Sequence, residues 1–173
     1  MININLFFIF VITVLLSIFF LFQPHKVDQK ILQDMPLLHI ENFIMYELDP
    51  FGLKTLMLGS EAFRYKDRYT VDNINHTDHS QVHISNLRAD YGIYKDNTLD
   101  LTGDVTLVRD DGLSYKTQKA SFYKDKGVFV TDTNYTLSQG NNVIHGTYLD
   151  HNNFTGKIHS KNINAKYYIN EDK

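Results

Sequence analysis

The chain reads as an all-β, antiparallel fold of repeated hairpins preceded by one N-terminal transmembrane α-helix. Three observations carry that expectation. The tripeptide Tyr-Lys-Asp occurs at Tyr65-Lys66-Asp67, Tyr94-Lys95-Asp96 and Tyr123-Lys124-Asp125, each copy 29 residues after the one before. No proline follows Pro50, which suits unbroken sheet ladders, since proline removes a ladder donor. Residues 1–25 contain no Asp, Glu, Lys or Arg, and residues 6–22 are apolar except for Thr13 and Ser17.

The apolar stretch comes first. Its core of 17 residues stands at the short end of what crosses a bilayer, and predicts an anchor over residues 1–23. A cleaved signal peptide is the competing reading. It lacks support here because no basic segment precedes the apolar run and Phe22-Gln23-Pro24-His25-Lys26 offers no small-x-small cleavage site. The nearest cations, Lys26 and Lys30, follow the helix; a bias of two residues leaves the side of the membrane open. Thr13 and Ser17, four apart, suit either a partner helix or bonds to their own backbone. Residues 24–39, with Pro24 and Pro36, read as a connector.

The remaining 148 residues hold all 37 charged side chains, all 11 Tyr and half of the 12 Phe. This composition suits a single soluble domain, residues 40–170, with enough large side chains for a core. A net charge of −3 without a basic block argues against a nucleic-acid partner. The absence of cysteine excludes disulfides, thiolate metal sites, a Cys nucleophile and a lipid-modified N-terminal Cys.

Within the domain each Tyr-Lys-Asp follows an aromatic or β-branched residue (Phe63, Ile93, Phe122) and precedes a polar turn, the pattern of strand, turn and returning strand. Turn signals stand at Asp67-Arg68, Asp96-Asn97, Asp111-Gly112, Lys126-Gly127, Gly140-Asn141 and Asn152-Asn153. Between them Leu99 and Leu101, Val105 and Leu107, Val128 and Val130, and Tyr135 and Leu137 alternate. Strands at this spacing build an antiparallel sandwich, a jelly roll or a partly open barrel.

Little in the chain points to catalysis. There is no Gly-x-Ser-x-Gly, no phosphate-binding glycine loop and no carboxylate pair apart from turn aspartates. Asp67, Asp96 and Asp125 occupy positions where Asp is favoured for bonding its own backbone, and read as solvated turn residues. His76, His79 and His83, with Asp78 between them, are dense enough to consider a divalent metal. They fall in a polar loop entering a strand, without a neighbouring Glu as base, so a solvated loop is the expectation and no metal or other cofactor is assigned.

The runs Leu58-Gly59-Ser60-Glu61-Ala62, Leu101-Thr102-Gly103-Asp104-Val105, Val143-Ile144-His145-Gly146 and Asp111-Gly112-Leu113-Ser114-Tyr115-Lys116-Thr117, the last followed by Ala120, Phe122, Tyr123 and Asp125, resemble the LptC family of lipopolysaccharide export. Gly52 and Gly146 match glycines of that pattern. The resemblance implies a twisted, open β-jelly roll in the periplasm, held at the inner membrane by a single-pass helix. Its apolar trough would receive lipopolysaccharide from an inner-membrane ABC transporter and pass it to a soluble bridge protein of similar fold, with no enzymatic step. A trough meets a physical need, because exposing an acyl chain of about a dozen carbons to water costs roughly 10 kcal/mol.

By the same resemblance the N-terminal sheet edge, through Phe43, Met45 and Glu47, would meet the transporter. The C-terminal edge, through Ile163, Ala165 and Tyr167, would meet the bridge protein. The alternating sets supply candidates for the lipid-facing wall: Leu99, Leu101, Val105, Leu107, Val128, Val130 and Tyr135, with Phe154 and Ile158. Alternation does not separate a trough from a closed core, so a membrane-tethered β-sandwich acting as a protein-binding module without lipid is the alternative.

Overall fold

The computed structural model describes residues 4–21 and 34–168. Two compact units divide the chain, Met1–Asp34 and Met35–Lys173. The connector expected over residues 24–39 lies outside the described residues up to position 33, as do the last two positions of the domain expected to end at 170.

The first unit is α1 (Ile4–Leu21), 18 residues long. It carries no acid in its first turn and no base in its last. Thr13 donates to the Ile9 carbonyl at 2.8 Å and Ser17 to the Thr13 carbonyl at 2.9 Å, so both hydroxyls are satisfied within the helix. Among the described residues no helix is long and apolar enough to cross a membrane. The expectation of a transmembrane helix is corrected to that extent. Eighteen residues rise only about 27 Å, short of a hydrocarbon core of about 30 Å.

The second unit is one open antiparallel sheet of twelve strands. The first six follow in sequence: β1 (Leu38–Asp49), β2 (Gly52–Arg64), β3 (Tyr69–Asp78), β4 (Ser85–Lys95), β5 (Thr98–Arg109) and β6 (Leu113–Tyr123). These strands are 10 to 13 residues long. Each turn signal of the sequence falls at a hairpin. Asp96 and Asn97, at φ 47° and 59°, form the two-residue turn that matches strand twist. Gly112, at φ 83°, closes the β5–β6 turn with its N–H on the Arg109 carbonyl.

Every Tyr-Lys-Asp lies at the same rim of the sheet, at the ends of β2, β4 and β6. The acids there are not simply solvated, as expected, because neighbouring turns are close enough to bond them. Lys95 pairs with Asp67 at 2.7 Å, and the Asn97 amide reaches both Asp125 oxygens at 3.0 and 3.1 Å. The Lys95 ammonium holds the Asp67 carboxyl below its ordinary range.

A seam of irregularities crosses the six strands at mid-length. Register shifts separate Arg88 from Tyr91 and Thr102 from Val105. Asn42, Asn73, Gly103 and Asp104 take positive φ along the same line. Side chains tie the seam: Asn73 Nδ2 donates to Ser60 Oγ at 2.9 Å, and Gln118 Nε2 to Asp104 Oδ1 at 2.9 Å. Bulges bend strands and increase their twist, which is how an otherwise regular sheet comes to curl.

At β6 the sheet forks. Its C-terminal end pairs with β7 (Val128–Thr131), which continues to β10 (Tyr148–Asn152) and β11 (Lys157–Lys161). Its N-terminal half pairs with β8 (Tyr135–Gln139), which continues to β9 (Asn142–Gly146) and β12 (Asn164–Lys166). A buried threonine knot fills the crotch. Thr117 Oγ1 lies 3.0 Å from Thr131 Oγ1 and 2.8 Å from Thr133 Oγ1, and Thr131 donates to the Lys119 carbonyl at 2.6 Å. The Lys119 and Asn134 carbonyls at the split thereby find donors in Thr131 and Thr117.

Candidate lipid-facing interior

One face of the sheet is apolar, and cross-strand partners define it. Ile40, Ala62, Val71, Gly92, Leu101 and Ala120 stand opposite one another in turn across β1 to β6. Directly paired residues share a face. At the centre of this face Ile74, Ala89, Leu101, Val105 and Ala120 form a closed core, with Leu101 3% and Val105 1% exposed. Small residues let the large ones interlock: a Cβ on Gly92 would stand 2.4 Å from Ile74 Cδ1.

On either side of this plug the interior is open. An N-terminal cavity of about 770 Å³ is lined by Ile40, Phe43, Met45, Met57, Val71 and Leu99, among others. A C-terminal cavity of about 570 Å³ lies in the fork, lined by Leu107, Tyr115, Phe122, Phe129, Leu137 and Ile158 with further apolar neighbours. Both walls are overwhelmingly apolar. A third concavity, beside the fork, has a mixed wall that includes Asp104, Lys116, Gln118 and His145 with Val105 and Tyr135.

The expected wall residues distribute unevenly over these spaces. Leu99 lines the N-terminal cavity, and Leu107, Tyr135 and Ile158 line the C-terminal one. Leu101 and Val105 lie in the plug between them. Val128 and Val130 need correction, because they alternate on the wrong face. Val130 stands opposite Ser121 and Asp150, while Phe129 between them stands opposite Phe122 and His151, which line the cavity. Phe154 is corrected too. It sits in the β10–β11 turn, 73% exposed, with its ring over Gly127. Ile40, Met57, Tyr115, Phe122, Phe129 and Leu137 went unassigned to the wall. Phe122 and Leu137 had a signal, since each pairs or alternates with an assigned residue.

Tyr115 and Tyr135 stack at 5.7 Å, and Phe129 meets Tyr115 edge-on at 5.3 Å. Tyr135 lies flat over Gly146, where a Cβ would meet its ring at 2.5 Å, and its hydroxyl is 2.8 Å from Ser160 Oγ. Here the glycine serves close approach, whereas Gly52 serves a φ of +133°. The Tyr115 hydroxyl is buried beside Thr131 and Thr117 without a hydrogen bond of normal geometry, and burial pushes it up to about 12. Removing an unpartnered buried hydroxyl relieves a desolvation cost. Tyr115→Phe is therefore expected to hold or raise the urea midpoint at pH 7. The sign with pH follows from the raised value: the folded state keeps a proton that the unfolded state releases above about pH 10. Wild-type stability falls as pH climbs from 10 towards 12, and the Phe variant shows a shallower fall in the same titration.

The histidines do not gather. His76 is in β3, His79 and His83 in the loop after it. Among the described residues the one grouping of possible metal donors is His83 with Asp110 and Asp111. Its members are already engaged: His83 Nδ1 is 3.0 Å from Asp110 Oδ1, and Asp111 is bound by Arg109, which lowers its carboxyl to about 2.

Free strand edges flank the interior. Among the described residues β1 has a neighbour only in β2, β11 only in β10 and β12 only in β9. Phe43, Met45 and Glu47 lie in β1; Ala165 lies in β12, with Ile163 and Tyr167 beside it.

An open, curled antiparallel sheet with an apolar inner face and unpaired end strands defines a class of its own, distinct from closed barrels and filled sandwiches. The chain belongs to the lipopolysaccharide-assembly, LptC-related family, whose model matches residues 6–167. Membership implies a role in lipopolysaccharide transport. No curated protein matches the chain.

Proposed function

We propose that the protein is a non-enzymatic relay that takes lipopolysaccharide from an inner-membrane ABC transporter and passes it to a soluble periplasmic bridge protein of the same fold. The observation that carries this reading is the pair of apolar cavities on the inner face of an open sheet. An acyl chain entering them leaves water at about 0.8 kcal/mol per CH₂. The N-terminal edge, β1, meets the transporter and the C-terminal edge, around β12, meets the bridge protein, each by adding main-chain hydrogen bonds to an unpaired strand. α1 attaches the chain to the inner membrane, supported by a helix whose apolar side chains from Phe7 to Leu21 are largely exposed. The β-domain lies on the periplasmic side, which a reporter fused after Lys173 and active only in the periplasm tests.

Photo-crosslinkers test the relay. Placed at Leu107 or Phe129 in cells making lipopolysaccharide, they are expected to capture it; placed at Val130, on the opposite face, they are not. Equal capture at Phe129 and Val130 would sink the reading, and capture at no position would favour a protein-binding module without lipid.

A further inference from the structure

The Tyr-Lys-Asp repeat takes no part in the cavities, yet it builds a surface of its own. Its three turns share one rim with the β10–β11 turn, joined through the Asn153 N–H to the Gly127 carbonyl at 2.8 Å. These four turns, residues 65–68, 95–97, 124–127 and 153–156, hold five Lys or Arg and three Asp. Two of the acids are already engaged, Asp67 by Lys95 and Asp125 by Asn97. Lys66, Lys124 and Lys126 are exposed and form no ion pair among the described residues. The opposite rim has the reverse balance: residues 49–52, 78–85, 110–112 and 140–141 hold four Asp and no Lys or Arg.

Aromatic rings accompany the basic rim. Tyr69 and Tyr123 are exposed, and Phe154 stands 73% exposed at its edge. Basic side chains beside amphipathic rings suit a phospholipid headgroup layer, where the rings sit at the interface and the cations meet phosphate. The chain also enters the domain here. The Leu37 N–H bonds the Arg64 carbonyl at 2.7 Å, beside the first Tyr-Lys-Asp turn. Twelve residues separate the end of α1 at Leu21 from Asp34.

We propose that this rim docks on the anionic phospholipid headgroups of the membrane that holds α1. The three exposed lysines hold the domain to that surface. The docking rests on attachment through α1, and does not depend on lipid entering the cavities. Each exposed lysine raises partition onto an anionic surface by roughly five-fold.

The lack of cysteine makes single labels clean. Full-length chain carrying a fluorophore on Thr155→Cys at the basic rim, or on Gln81→Cys at the opposite rim, is reconstituted into vesicles with nitroxide-labelled headgroups. The vesicles are phosphatidylcholine alone, or phosphatidylcholine and phosphatidylglycerol in equal parts. Quenching is expected for Thr155→Cys in the mixed vesicles only, and for Gln81→Cys in neither. Lys66→Glu, Lys124→Glu and Lys126→Glu together abolish it, as a loss of at least roughly a hundred-fold in surface partition requires. High salt abolishes it in the unaltered lysine background. Equal quenching at both rims, or quenching that survives the triple substitution and high salt, overturns the proposal. A chain that floats with neither vesicle overturns attachment and docking together, while one that floats with both but leaves Thr155→Cys unquenched overturns docking alone.

Discussion

Alanine at Leu101 is expected to lower the unfolding free energy by about 2–5 kcal/mol, the range for emptying a fully packed aliphatic site. Leu101 is 3% exposed and stands between Gly92 and Ala120 across the sheet. Those partners are too small to close over the space that alanine leaves, and Ile74 is already held against Gly92. The surroundings relax little, which places the loss towards the upper end of the range. Leu107→Ala removes the same atoms from a half-buried residue on a cavity wall. It costs less, because part of that surface is in contact with water in the empty protein. Urea unfolding with an unchanged slope separates the two variants. A Leu101 variant no less stable than the Leu107 variant would remove the plug, and the interior would be one continuous trough.

Division of the interior into two cavities was not legible in the chain, although much of the sheet was. The hairpins were readable because their turns have local chemistry: Asp96-Asn97 and Asp111-Gly112 announce themselves wherever they occur. The 29-residue period was readable too, since each copy restarts a strand at the same rim. The β1–β2 hairpin was missed. Its turn holds Pro50, and Asp49 accepts the Phe51 N–H at 2.7 Å, a local bond that looks like any loop aspartate. The bulge seam left no mark because Asn42, Asn73 and Asp104 take positive φ under tertiary constraint. Asn and Asp do this without a signature distinguishing them from turn residues. The fork was equally silent. Whether β6 pairs with β7 or β8 depends on contacts between residues far apart in sequence, and the threonines that fill the crotch look like ordinary strand residues. The free edges of β1 and β12, by contrast, were placed from the family resemblance and not from any feature of those strands.

Phe129→Ala is expected to cost about 3 kcal/mol, at the low end of the range for phenylalanine because the ring is half-buried, and Val130→Ala under about 1 kcal/mol. Val128-Phe129-Val130 is apolar throughout, so its composition assigns neither face. The choice is made by the preceding turn. Lys124–Lys126 form a short 3-10 turn closed by Gly127 at φ 59°, and this length sets Phe129 opposite Phe122 and Val130 opposite Ser121. A turn one residue longer or shorter would exchange the faces, because strand side chains alternate with period two. The consequence is energetic and functional at once. Phe129 packs edge-on against Tyr115 and borders the C-terminal cavity, so its loss both loosens that wall and widens the cavity. Val130 contributes to neither. Guanidinium unfolding of the two alanine variants, run beside lipopolysaccharide crosslinking from Leu107 in each background, reads both effects. A larger loss from Val130 than from Phe129 would mean that β7 sits one residue out of register, and would return the inner wall to Val128 and Val130.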